Sequence, residues 1–299
     1  MLIKENKVSF QFFAAARLID THAHLNFNAF ENDADEVVRR SLDNNVWMVN
    51  VGSQYSTSQR AVEMAEEYPE GVYASIGLHP IYASEQSEGL RREHSSLCTK
   101  DGFSRDKYQK LALSKKVVAI GEIGLDYKAE YISFKEKQKE VFLEQLNLAK
   151  ELNLPVILHC RMAHDEVLNI LSDKNYKEVK GTVHCFTGTW QQAEKYLAMG
   201  FYLGFNGIIF KFNSEEIIKK TPSDRILVET DCPYLTPFPE TGRNEPLYVK
   251  HVVEKIAGIK GLAKRTSFSS SPSFLRSKNS VFEEIAKITT ENAKRLFKI

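Results

Sequence analysis

Strand-like and helix-like segments alternate along almost the whole 299-residue chain, and this alternation restricts the possible folds more than any other feature. Short apolar runs typical of buried strands are predicted at Leu18–Asp20, Val46–Val51, Val72–Ile76, Val117–Gly121, Pro155–His159, Lys180–His184, Phe201–Phe205 and Arg225–Glu229. Helical spacing follows them, as in residues 134–152, where Phe142, Leu146 and Ala149 fall on one face. Eight such units in succession predict an α/β fold, a (β/α)8 TIM-type barrel that forms a single domain.

The alternative architecture is a doubly wound open sheet, which is disfavoured because no Gly-x-Gly-x-x-Gly pattern follows the first strand. Residues 1–17 are expected to be an N-terminal extension, and residues 18–299 to form the barrel domain. Within that domain, residues 263–280 form a polar insert, and the polar stretch 84–104 is expected to be a long loop or short helices. The insert is expected to be a mobile surface loop, and the functional alternative is a basic flap that contacts a polyanion.

The net charge of +1 gives the chain no broad cationic surface, so contact with a phosphate backbone must come from a local patch or a metal. No apolar run approaches the length of a membrane span, so no membrane partner is expected. The four cysteines lack the spacing of a disulfide framework. We therefore expect a cytoplasmic protein.

Imidazole and carboxylate side chains recur at the carboxyl ends of the predicted strands, where α/β barrels carry their reacting groups. They are His22 and His24 at the first strand, His79 at the third, Glu122 at the fourth, His159 at the fifth, His184 at the sixth, and Glu229 and Asp231 at the eighth. Five of the eight histidines belong to this set. His22 and His24 are two residues apart, so in an extended strand both imidazoles point to one face, where they suit a divalent metal.

This mixture of ligands predicts a site for two divalent ions, which need a bridging carboxylate and separate terminal ligands. The predicted bridge is Glu122, the predicted ligands of one ion are His22, His24 and Asp231, and those of the other are His159 and His184. These donors admit Zn, Mn, Fe, Ni or Mg, so the sequence leaves the metal open. The net positive charge of the loaded site suits an anionic substrate such as a phosphodiester.

Within this site, a bound water would have its pKa lowered toward about 7, and the resulting metal-bound hydroxide would be the nucleophile. Asp231 is predicted to orient that water and to accept its proton, and Glu229 to support one of the ligands. The alternative for Asp231 is a helix N-cap after the eighth strand.

The sequence carries these residues in eight longer motifs. They are Asp20-Thr21-His22-Ala23-His24, Gly77-Leu78-His79-Pro80, Gly121-Glu122-Ile123-Gly124-Leu125-Asp126-Tyr127, Leu158-His159-Cys160-Arg161, His184-Cys185-Phe186-Thr187-Gly188, Gly204-Phe205-Asn206-Gly207, Glu229-Thr230-Asp231-Cys232-Pro233-Tyr234-Leu235 and Arg243-Asn244-Glu245-Pro246. With these motifs in this order over residues 18–297, the chain resembles the TatD-type metal-dependent deoxyribonucleases, a branch of the amidohydrolase-like barrels.

The resemblance implies a metal-dependent hydrolase that cleaves DNA phosphodiester bonds, commonly as a 3′-to-5′ exonuclease acting on single strands or 3′ ends. It also implies that the six ligands named above hold metal, and that His79, Arg161, Asn206 and Arg243 contact substrate. For these four, surface or capping roles are the alternative. The chain departs from the family in residues 236–242, which lack the basic residues that often precede the Arg-Asn-Glu-Pro motif, so phosphate binding there is expected to be weaker.

Two other functions remain open at this point. One is an amide or ester hydrolase on the same barrel, such as an aminoacyl-tRNA deacylase. Many such barrels bridge their metals with a carboxylated lysine at the fourth strand, and Glu122 in that place favours the nuclease branch. The other is a binding protein without enzymatic activity, which the complete ligand set disfavours.

Overall fold

A computed structural model describes residues 17–83, 102–266 and 278–299 of the chain. Its eight strands are β1 (Leu18–Ala23), β2 (Val46–Val51), β3 (Val72–Ile76), β4 (Val117–Asp126), β5 (Val156–Arg161), β6 (Gly181–Val183), β7 (Tyr202–Phe205) and β8 (Ile226–Val228). Every strand pairs in parallel with the next, in the order β1 to β8. The barrel is nearly closed between β8 and β1, where the Thr21 hydroxyl donates to the Val228 carbonyl at 3.1 Å.

The predicted TIM-type barrel is therefore confirmed, and the open doubly wound sheet is wrong. The helices within the described ranges are α1 (Ala34–Asp43), α2 (Tyr55–Glu66), α3 (Arg105–Leu111), α4 (Lys135–Leu152), α5 (His164–Leu171), α6 (Trp190–Ala198), α7 (Glu215–Lys220), α8 (Val249–Thr266) and α9 (Lys278–Phe297). The apolar face predicted for α4 is buried, since Phe142, Leu146 and Ala149 are fully covered. This burial orients the helix against β4 and fixes the start of β5.

Strands β1 and β4 extend beyond the predicted boundaries, and both extensions carry residues of the site. β1 continues to Ala23, so that His22 is part of the strand rather than of the loop after it. β4 runs to Asp126, with every residue buried, because its last residues keep pairing with β5 as far as Asp126 opposite Arg161. The longer strands hold these side chains on a rigid backbone.

The predicted extension and insert lie mostly outside the described residues. Of residues 1–17, only Arg17 is described, and its guanidinium lies 3.9 Å from the centre of the Trp47 ring. Of residues 263–280, the first four continue α8 and the last three begin α9. Of the stretch 84–104, only residues 102–104 are described, and they precede α3. The described ranges contain no helix long and apolar enough to cross a bilayer.

Candidate metal centre

His22 and His24 converge at the end of β1. Both side chains are buried, and their Nε2 atoms lie 3.1 Å apart. His24 Nε2 lies 3.4 Å from an oxygen of Asp231, which follows β8. No helix begins at Asp231, because α8 starts only at Val249, so the N-cap alternative does not hold for it. Two imidazoles and a carboxylate therefore meet at the seam of the barrel.

Glu122 lies between this group and the histidines of β5 and β6. One of its oxygens is 3.5 Å from His22 Nε2, and the other is 2.8 Å from His159 Nδ1. His184 Nε2 lies 3.8 Å from Glu122 and also 3.8 Å from Asp231. The two Glu122 oxygens thus face two groups of donors, which is the arrangement expected of a carboxylate between two ions.

Within the described ranges, three groups of side chains have ligand atoms that all lie within 4.8 Å of one another. They are His22 with His24 and Glu122, His22 with His184 and Asp231, and His79 with Glu122 and His159. The six ligands expected from the sequence are all in this cluster, and His79, expected to contact substrate, joins it at 3.5 Å from Glu122. His184 lies closer to the first group than its predicted pairing with His159 implies.

The ring orientations of the histidines fit metal binding. In three of these histidines, one ring nitrogen contacts a protein oxygen outside the cluster, and the other ring nitrogen faces the centre of the cluster. The outer contacts are His24 Nδ1 to the Val51 carbonyl at 2.8 Å, His159 Nε2 to Asp126 at 3.0 Å and His184 Nδ1 to Glu229 at 2.8 Å. Such contacts hold the imidazole tautomer that presents a lone pair to an ion.

Glu229 is buried behind His184, where the sequence predicted a supporting role. One of its oxygens also accepts hydrogen bonds from the backbone N–H of Cys185 at 2.8 Å and from the Asn206 amide at 3.1 Å. Gly204 on β7 makes room for it, because a Cβ there would lie 2.5 Å from the other Glu229 oxygen. The carboxylate is therefore held by two hydrogen-bond donors and by its ion pair with His184, in space that the absent side chain of Gly204 leaves free.

Asp126 is a site residue that the sequence analysis left without a role. It is fully buried, contacts His159, and forms an ion pair with Arg161. The sequence did contain a signal, because Asp126 follows Glu122 by four residues and an even spacing on a strand places both side chains on one face. The charges of His159 and Arg161 hold the pKa of Asp126 low against the effect of burial.

Burial and charge oppose each other throughout the cluster. Burial would raise the pKa of Glu122, but the charges of His79 and the other imidazoles hold it well below its usual range. Burial lowers the pKa of His79 to about 4. Burial would also lower the pKa of His184, but Glu229 and Asp231 outweigh it and raise this pKa to about 10. The carboxylates of Glu122 and Asp231 are thus ionised, and protons on the imidazoles compete with metal ions to neutralise their negative charge.

A pocket of about 840 Å³ opens above the cluster. His24, His79, Glu122, His159, His184 and Asp231 all line it. Of the other residues expected to contact substrate, Arg161 lines the pocket, whereas Asn206 and Arg243 are not among its described lining residues. Asn206 is fully buried against Glu229, and Arg243 forms an ion pair with Asp33 on the neighbouring loop.

Comparisons with known proteins identify the family of the chain. The family model described as "TatD related DNase" matches residues 19–298. The uncharacterized metal-dependent hydrolase YabD of Bacillus subtilis is 44% identical over 94% of this chain and 99% of its own. The 3′-5′ ssDNA/RNA exonuclease TatD of Erwinia tasmaniensis is 35% identical over 82% of this chain and 92% of its own.

A solved structure extends the agreement to the fold. The crystal structure of YjjV, a TatD homologue from Escherichia coli K12, matches with a TM-score of 0.72 and 29% identity, over 95% of this chain and 99% of that one. The family match, the relatives and the barrel coincide over nearly the whole length of the sequence. The chain therefore belongs to the TatD-related DNase family and is a metal-dependent hydrolase of that family.

Proposed function

We propose that this protein is a 3′-to-5′ exodeoxyribonuclease that hydrolyses phosphodiester bonds of single-stranded DNA with two divalent ions. The observation that carries the proposal is the convergence of four imidazoles and two carboxylates at the floor of one open pocket. The Erwinia relative is named as a 3′-5′ ssDNA/RNA exonuclease, which supports the substrate class. The position of Glu122 between two donor groups supports two ions rather than one.

The proposed ligands of the first ion are His22, His24 and Asp231, and those of the second are His159 and His184, with Glu122 shared. Although His184 also lies near the first group, it is assigned to the second ion because His184 Nε2 and His159 Nδ1 face the same Glu122 oxygen, at 3.8 and 2.8 Å. Zn²⁺, Mn²⁺ and Mg²⁺ all fit this donor set. When bound, such ions polarise a phosphoryl oxygen and lower the pKa of water. Every other step is assigned to side chains of the protein.

Asp231 is proposed as the general base. Its carboxylate borders the pocket, 3.4 Å from His24 and 3.8 Å from His184, so it can take the proton of an attacking water from the open side. His79 and Arg161, which line the same pocket, are proposed to contact the phosphate. Arg161 is held by Asp126, which limits the rotation of its guanidinium. Asn206 and Arg243 stay predictions as substrate contacts.

A single-stranded oligonucleotide labelled at its 5′ end tests the proposal. With Mn²⁺ or Mg²⁺ we expect a ladder that shortens from the 3′ end, and no cleavage after chelation. Glu122→Ala is expected to abolish the ladder, whereas Glu36→Ala on the exposed side of α1 leaves it unchanged. Cleavage that survives both chelation and Glu122→Ala would contradict the mechanism. Loss of the acyl group from charged tRNA without DNA cleavage would instead favour the deacylase alternative.

A further inference from the structure

The two sides of the pocket differ in chemistry. Strands four positions apart face each other across an eight-stranded barrel, so the loops after β4 and β8 lie on opposite sides of the mouth. The lysine and arginine among the described lining residues are Lys128, on the loop after β4, and Arg161, the last residue of β5. Lys128 pairs with Glu130 at 2.7 Å and Arg161 with Asp126, but both cationic side chains are nearly half exposed and border the pocket. This side can therefore receive negative charge.

The other side, formed after β7 and β8, is apolar. Its lining residues include Ile208, Phe212, Ile217, Tyr234 and Leu235. Phe212 is 64% exposed even though it borders the pocket, whereas large apolar side chains usually bury most of their surface. An exposed aromatic ring beside a charged centre is a common feature of binding sites.

We propose that Phe212 stacks on the base of the 3′-terminal nucleotide, while Lys128 and Arg161 contact the phosphates from the β4 and β5 side of the pocket. This inference rests on the nuclease function proposed above and adds the subsite that selects the substrate. A phosphodiester held at the metal centre places its nucleotide inside the pocket, and 840 Å³ is within the range of pockets that enclose one small ligand. A terminal base that is paired must separate from its complement before it can enter the pocket beside Phe212, so the subsite favours unpaired ends.

The size of the effect follows from base stacking on aromatic side chains, which contributes about 1–3 kcal/mol per base. A loss of about 1.4 kcal/mol, near the low end of this range, corresponds to about a tenfold loss in kcat/KM. Because every base has an aromatic face, the subsite is expected to tolerate all four bases. It is expected to disfavour a terminal residue that has no base.

The test compares two single strands that differ only at the 3′ terminus, one with a normal nucleotide and one with an abasic residue. We expect the wild-type protein to prefer the normal terminus about tenfold in kcat/KM, and Phe212→Ala to remove this preference. Phe212→Trp should retain it. Phe238→Ala is the matched control, because Phe238 is 74% exposed on the β8–α8 loop but is not among the described lining residues.

A binding measurement separates stacking from chemistry. In the Glu122→Gln background, a strand with 2-aminopurine as its 3′ base should lose fluorescence on binding, and should not do so when Phe212→Ala is added. A terminus preference that persists in Phe212→Ala would overturn the inference while leaving the nuclease function intact. A wild-type protein that releases nucleotides from neither strand would overturn the proposed function itself.

Discussion

Replacing Glu229 by Gln perturbs the metal centre without removing any of its proposed ligands. The substitution keeps the volume and one acceptor oxygen but removes the negative charge that faces His184 Nδ1 at 2.8 Å. Hydrogen bonds to charged acceptors contribute about 1 kcal/mol more than those to neutral ones. The contact with His184 therefore weakens by about 1 kcal/mol, which corresponds to about fivefold. Metal affinity is expected to fall about five- to tenfold, near the lower end of the range for residues behind a metal ligand.

The other two contacts of Glu229 give a second, separate readout. The backbone N–H of Cys185 and the amide of Asn206 both donate to the same oxygen, so each of these bonds also changes from charged to neutral. We expect the free energy of unfolding of the metal-free protein to fall by about 2 kcal/mol. Glu36→Gln, on the exposed side of α1, is the control and should change neither quantity.

Metal affinity is measured by competition with a chromophoric chelator, and stability by urea unfolding of the metal-free protein. Metal affinity within twofold of wild type, together with the expected loss of stability, would refute the supporting role of Glu229. That result would show that the carboxylate holds Cys185 and Asn206 in place but does not act on His184.

Two further predictions concern histidines paired with carboxylates. Asp126→Asn is expected to weaken metal binding about 10- to 100-fold, because it weakens the contact that holds His159 Nδ1 toward the centre, and chelator competition measures this. Away from the site, Glu254 and Glu240 raise the pKa of His251, so its ion pairs stabilise the fold fully below pH 6.5, the ordinary value. This stabilisation of about 1 kcal/mol should be lost as the pH rises through the raised pKa of His251. Urea unfolding at several pH values measures the loss, which should be absent in His251→Gln.

Much of the fold could be predicted because local sequence and tertiary packing favour the same structure. The boundaries of β2 and β3 agree with the prediction residue by residue. Strand β4 was predicted too short, because Gly121 and Gly124 interrupt its apolar pattern. Gly124 has a φ of +142°, and a Cβ there would lie 2.0 Å from the His159 carbonyl oxygen. Only the neighbouring strand explains that glycine.

The metal ligands were predictable because strand ends meet at one end of a parallel barrel. Their supporting contacts were harder to predict, since these depend on side-chain direction in three dimensions. Arg243 belongs to a motif of the family, yet it pairs with Asp33 more than 200 positions away and stacks on Phe30 at 4.2 Å. Nothing in the spacing of these residues along the chain indicates such a contact.

Anomalous diffraction from crystals soaked with Mn²⁺ or Zn²⁺ tests the central claim most directly, because it locates metal without relying on activity. We predict two peaks about 3.5–4 Å apart, with one Glu122 oxygen directed at each and with His24 and His159 beside different peaks. A single peak that Glu122 does not contact, or metal bound outside the pocket, would contradict the account.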